Sequence, residues 1–128
     1  ARYGGARSLG TAIYYLLAPG QCSAMHRLRS DEVFHFYLGD AVEILQLPPG
    51  APARVIVLGD DLAAGQIPQL LVPHGVWQGA RLVPGGECAL LGTTVAPGFD
   101  PVDFERGDRA ALSALWPAAA ERIAALTS

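Results

Sequence analysis

Residues 22–47 read CSAMHRLRSDEVFHFYLGDAVEILQL, and their patterning decides the fold. Three apolar and aromatic runs, Cys22–Leu28, Glu32–Leu38 and Val42–Leu47, are separated by Arg29-Ser30-Asp31 and by Gly39-Asp40. Each run has the length and composition of a strand. Alternation then puts Ala24, His26 and Leu28 on one face of the first run, and Glu32, Phe34, Phe36 and Leu38 on one face of the second. The short link between them predicts two adjacent antiparallel strands with His26 beside Glu32. Gly39-Asp40 tolerates positive φ and predicts a hairpin into Val42–Leu47. An imidazole near a carboxylate is the pair that holds a metal or passes a proton near neutral pH.

The same texture extends in both directions. Leu9–Leu17 precedes, closed by Pro19-Gly20; Pro48-Pro49-Gly50 turns the chain into Arg54–Leu58, which Gly59-Asp60-Asp61 ends. Gln69–Val72, Val76–Leu82 and Cys88–Val95 follow, each bounded by proline or glycine. With 15 glycines and 10 prolines, a helical bundle is disfavoured, and eight short strands at regular spacing predict an antiparallel sandwich or barrel. Only the end of the chain changes period. Asp108–Leu115 and Ala118–Leu126 carry apolar residues three and four apart, and Pro117 divides them into two short helices. The intervening PGFDPVDFE, residues 97–105, carries Asp100 and Glu105 and is read as a structural segment that caps the helices, the alternative being a loop folded back over the barrel. The 128 residues, 51% hydrophobic, suit one domain spanning 1–128.

Charge narrows the partners. Nine basic residues, all arginine, against 12 acidic ones give a net −3 with no run of like charge. That predicts no nucleic-acid or membrane-surface partner. The longest apolar stretch, Ala12–Ala18, is far short of a membrane span, and no signal segment opens the chain. Cys22 and Cys88 lie in strand-like runs without metal spacing and are expected to be buried thiols in a reducing, cytoplasmic compartment, the alternative being one disulfide.

A second constellation is Pro73-His74-Gly75-Val76-Trp77-Gln78, a tight turn feeding a strand. Gln78 falls on a face of small and apolar residues, where a polar group needs a partner. The candidate pocket therefore has His26 and Glu32 as reacting groups, with Tyr14, Phe34, Phe36, His35, Trp77 and Gln78 as substrate-binding residues. A structural reading competes: a self-satisfied His26–Glu32–Gln78 network, His35 at a dimer face, His74 exposed in its turn, and Trp77 and Trp116 as packing anchors. Apolar residues on both faces of Glu32–Leu38 predict a homodimer formed by sheet-to-sheet packing.

These blocks resemble the paired motifs of the cupin superfamily. His26, Glu32 and Gly39 stand at the first histidine, the glutamate and the glycine of the first motif, with Leu28 where the second histidine is expected. Pro73 and Gly75 match the second motif, in which Gln78 replaces histidine. The strings SLGTAIYYLL, SAMHRLRSDEVFHFYLGD, PQLLVPHGVWQGARL and LLGTTVAPGFDPVDFE are similar, in that order, to a small cupin-like family of unknown function grouped with RmlC-like sugar epimerases. Members carry a further β segment before the first strand, where only Ala1–Ala6 stand here. The resemblance implies an all-β antiparallel jelly roll with short C-terminal helices and a small-molecule pocket. It also implies epimerase or isomerase chemistry, with His26 as base and Tyr14 or Tyr15 as acid, on a sugar-like or carbonyl-bearing metabolite. The alternatives are a non-catalytic sensing or storage cupin, and a metallocupin in which His26, Glu32 and Gln78, standing at family ligand positions, would hold a divalent metal (Zn, Ni, Fe or Mn) in a weak site.

Overall fold

The computed structural model describes residues 5–128 and consists of two antiparallel sheets packed face to face. The strands are β1 (Thr11–Leu17), β2 (Cys22–Arg27), β3 (Asp31–Gly39), β4 (Val42–Leu47), β5 (Arg54–Leu58), β6 (Gln69–Val72), β7 (Trp77–Leu82), β8 (Ala89–Ala96) and β9 (Glu105–Arg106). One sheet has the order β1-β8-β3-β6 and the other β5-β4-β7-β2-β9. The jelly roll predicted from the sequence is the fold observed.

The predicted pairing of neighbours is not. β2 pairs with β7 and β9, whereas β3 pairs with β8 and β6, so the Arg29–Asp31 link carries the chain from one sheet to the other. Gly39-Asp40 does the same and makes no hairpin. Gly39 sits at φ +100°, where a Cβ would strike the carbonyl of Cys88, so the crossing demands glycine. Among consecutive strands only β4 and β5 pair directly, around Pro48-Pro49-Gly50. In a sandwich each sheet needs the other's apolar face, and crossing connections satisfy that need better than local hairpins.

Two apolar clusters result. Between the sheets, Leu17, Phe34, Val42, Ile44 and Leu91 are buried at one end of the sandwich, with Phe36 packed against them. On the outer face of the five-stranded sheet, Met25, Leu45 and Leu47 meet Leu112, Ile123 and Leu126. Those last three come from α1 (Arg109–Leu115), N-capped by Asp108, and from the C-terminal turns around α2 (Ala120–Ala125). Pro117 starts a single 3-10 turn between the helices, as its fixed φ and missing N–H require. Both cysteines are exposed and free, contrary to the expectation of buried thiols, because each lies at a strand end. Among the described residues no helix is long and apolar enough to cross a membrane.

Candidate functional site

At the end of the sandwich away from Phe36 the sheets are not filled. A cavity of about 610 Å³ opens there. His26 reaches it from β2 and Leu28 from the residue just after it, Glu32 and Phe34 from β3, and Thr93 and Val95 from β8. Thr11, Ile13 and Tyr15 of β1 form its rim, and Phe99 and Phe104 close it from the segment after β8. His26 and Glu32 therefore share one hollow as inward residues of opposite sheets, each only 8% exposed.

The His26 ring is fixed on two sides. Its Nδ1 donates to the Ala24 carbonyl at 2.7 Å. A carbonyl only accepts, so Nδ1 carries the hydrogen and the neutral ring keeps its lone pair on Nε2. One face stacks on Phe104, with centroids 4.8 Å apart and planes 14° apart. Burial lowers the imidazole pKa below its ordinary value, and the Ala24 bond offsets this only in part.

Glu32 is shifted the other way. Burial raises its pKa, opposed by hydrogen bonds from Gln78 and Thr93. Gln78 Nε2 donates to Glu32 Oε1 at 2.9 Å across the gap between the sheets. Gln78 itself stands opposite His26 in the β2–β7 register, so it is backed by the base's own strand and braces the acid. It is 2% exposed and does not line the cavity.

Pleating separates the remaining predicted residues. Tyr14 is 79% exposed on the outer face of β1, while its neighbour Tyr15 is the tyrosine that lines the cavity. His35 points outward from β3, bonding Thr94 Oγ1 at 3.0 Å and stacking on Tyr37. Trp77 lies on the outer face of β7 with Arg27 4.5 Å over its ring, beside Trp116. Phe36 faces inward but packs into the filled end, whereas Phe34 belongs both to the core and to the cavity wall. His74 is exposed and paired with Asp31 at 3.0 Å.

Of the two readings of PGFDPVDFE, the fold back over the barrel is the one observed, and what the sequence reading missed is the part of its two phenylalanines. Phe99 and Phe104 lie within PGFDPVDFE, which folds over the cavity mouth instead of serving only to cap helices. Arg7, half of a buried ion pair with Asp103, straps this segment to the N-terminal stretch and bonds the Gly98 carbonyl at 2.9 Å. β9 ties its far end to β2. Two aromatic residues inside a proline-rich loop were the available signal. Thr93 left none, since its place opposite Phe34 depends on the long-range β3–β8 register.

The donor set does not fit the predicted metal. Zinc, nickel, iron or manganese needs three or four good ligands. Here the nitrogen donor is His26 Nε2, and the Glu32 carboxylate already accepts from Gln78 and Thr93. Gln78 turns its amide nitrogen to Glu32, and Leu28 offers hydrocarbon. Among the described residues no group of three or more His, Cys, Asp or Glu side chains is arranged to hold a metal ion.

Comparison with known proteins agrees with this architecture. A family model described as Cupin superfamily (DUF985) matches residues 1–107. An X-ray structure of a Shewanella oneidensis protein is 36% identical, covers 98% of this chain and 79% of that one, and has a TM-score of 0.90. A Saccharomyces cerevisiae protein described as uncharacterised is 27% identical over 125 residues, 94% of this chain; the chain spans 62% of that relative's length. A dTDP sugar isomerase from Desulfovibrio desulfuricans has a TM-score of 0.65 at 18% identity, covering 79% and 66% of the two chains, a likeness of fold alone.

Proposed function

The chain belongs to the DUF985 family of the cupin superfamily, and on that footing we propose that its cavity binds a small carbonyl-bearing metabolite and moves a proton on it. The observation that carries this reading is the His26 ring. It is neutral by burial, its Nδ1 is occupied by the Ala24 carbonyl, and its Nε2 lone pair is left for a ligand. In the proposed reaction Nε2 takes the proton from the carbon next to a carbonyl. The Tyr15 hydroxyl, which lines the same cavity, donates to the oxygen on which negative charge develops. A proton delivered from water to the opposite face of that carbon epimerises it, the proton on Nε2 leaving to solvent; return of the Nε2 proton to the former carbonyl carbon, while the neighbouring hydroxyl gives its proton to the former carbonyl oxygen, isomerises a hydroxy-carbonyl substrate. No oxidant, reductant or metal enters this balance. The sugar-isomerase neighbour supports the reading through its fold.

Incubation in D2O with hydroxyaldehydes, hydroxyketones and nucleotide-linked keto sugars tests the reaction without knowledge of the product. Deuterium should enter next to the carbonyl, and His26→Gln should slow its entry by about 10²–10⁴-fold, as loss of a general base does, with Tm nearly unchanged. Undiminished exchange in that variant ends the proposal, and a wild type inert to the whole panel leaves a binding cavity only. The acid limb of kcat/KM should fall below the ordinary imidazole value, because burial keeps the base unprotonated further into acid.

A second copy of the chain is part of the proposal. The outer face of the four-stranded sheet carries Tyr14, Leu16, Tyr37 and Leu71, all at least half exposed. The corresponding face of the other sheet is covered by the helices.

A further inference from the structure

The charge inventory of the cavity identifies the class of molecule it takes. Among the described residues its lining contains neither arginine nor lysine. Its one acid is Glu32, which has no ion-pair partner among the described residues and is held by two neutral groups, Gln78 and Thr93. Its one imidazole is neutral. The remaining wall is mostly hydrocarbon, including Ile13, Leu28, Phe34, Phe99 and Phe104, with hydroxyls from Thr11, Tyr15, Ser23 and Thr93 between them.

An anion placed here leaves water and meets no cation among the described residues. It also approaches a carboxyl group whose ionised form is already penalised by burial. Burial of an unpaired charge is the costliest of these exchanges, and a second like charge in the same hollow adds to it. A neutral group with an O–H or N–H faces the reverse situation, because Glu32 presents acceptor oxygens and His26 presents a lone pair. A volume of about 610 Å³ lies within the usual range for a small-molecule site.

We propose that the part of the ligand buried in this cavity carries no negative charge and donates a hydrogen bond to Glu32, which acts as the residue that rejects anions. The class is thus alcohols, polyols, amides and hydroxy-carbonyl compounds, and any phosphate or carboxylate of the ligand stays outside the mouth. This deepens the proton-transfer reading of the same site but does not need His26 to be a base.

Matched carboxamide and carboxylate probes provide the test: phenylacetamide with phenylacetate, nicotinamide with nicotinate, and salicylamide with salicylate. Ligand-observed NMR titration of the wild-type protein at neutral pH should show the carboxamides binding about tenfold or more tightly than their carboxylates, the scale expected for an unpaired charge in a half-polar site. In Glu32→Gln the carboxylates should gain and the gap should narrow by a similar factor. In His26→Gln the preference should persist even though deuterium exchange is lost, which separates a failure of the charge argument from a failure of the base. Carboxylates binding as tightly as carboxamides to the wild type, no carboxamide binding at all, or a gap unchanged in Glu32→Gln would each overturn the proposal.

Discussion

Two glutamates show how placement sets the behaviour of one residue type. Glu43, on the outer face of β4, bonds Arg122 at 3.0 Å and Arg81 at 3.2 Å; burial raises its pKa, but the two guanidinium groups outweigh that and hold the carboxyl below its ordinary value. Its stabilisation is therefore present above the ordinary carboxylate pKa and is lost as pH falls through the folded value. Glu43→Gln should cost about 1 kcal/mol near neutrality, with the deficit vanishing in acid. Glu32 has the opposite sign. Its pKa is raised in the fold, so its contribution is intact below the ordinary value and is lost as pH rises through the folded one. Glu32→Gln should thus be more stable than the wild type near neutrality, by about 1 kcal/mol or a few degrees of Tm, and should lose that advantage on acidification. Urea denaturation of both variants across pH checks the pair; parallel profiles would contradict it. His26 and Glu32 were legible in the sequence because polar residues at inward positions of apolar strands stand out. Phe104, stacked on His26, was not, because its partner is chosen by the return path of a loop.

At the scale of elements, the strands were readable and their partners were not. Alternation and turn residues placed β4, β5 and β6 at their observed bounds. The same local signals suggested hairpins at Arg29–Asp31 and Gly39-Asp40, where the chain crosses between sheets. A short link is compatible with either geometry, and the choice is made by burial of the two inner faces. The segment from Pro97 to Gly107 is an element of another kind, fastened to the sandwich at identifiable points. Phe99 N–H donates to Thr11 Oγ1 at 2.9 Å, and Gly107 N–H to the Met25 carbonyl at 2.8 Å. The Arg7–Asp103 pair, with side chains only 8% and 2% exposed, is its strongest tie. Asp103→Ala leaves the guanidinium without its carboxylate and should cost about 3 kcal/mol. Hydrogen exchange should accelerate across residues 97–107 and leave the β3–β8 amides protected. Unchanged exchange in the segment would show that the pair does not hold it.

For the whole molecule, the two sheets differ in what covers them. Helices α1 and α2 bury the outer face of the five-stranded sheet, while the other outer face is partly roofed by its own Tyr37, whose ring lies over Gly92 where a Cβ would collide with it. Tyr14, Leu16 and Leu71 stay exposed beside it. Packing of that face on a second copy predicts a mass of two chains by light scattering, against 13.4 kDa for one. Tyr14→Arg with Leu16→Arg should give the single-chain mass with unchanged circular dichroism, and a wild type that runs as one chain at micromolar concentration excludes the dimer. Strand identity, the helical end and the inward placement of His26 and Glu32 follow from periods of two and 3.6, which neighbouring residues impose on the backbone. Which strands pair, which end of the sandwich stays hollow and which loop roofs it depend on contacts distant in sequence. Those contacts are selected by burying apolar surface across the whole chain, and no short stretch of residues encodes such a sum.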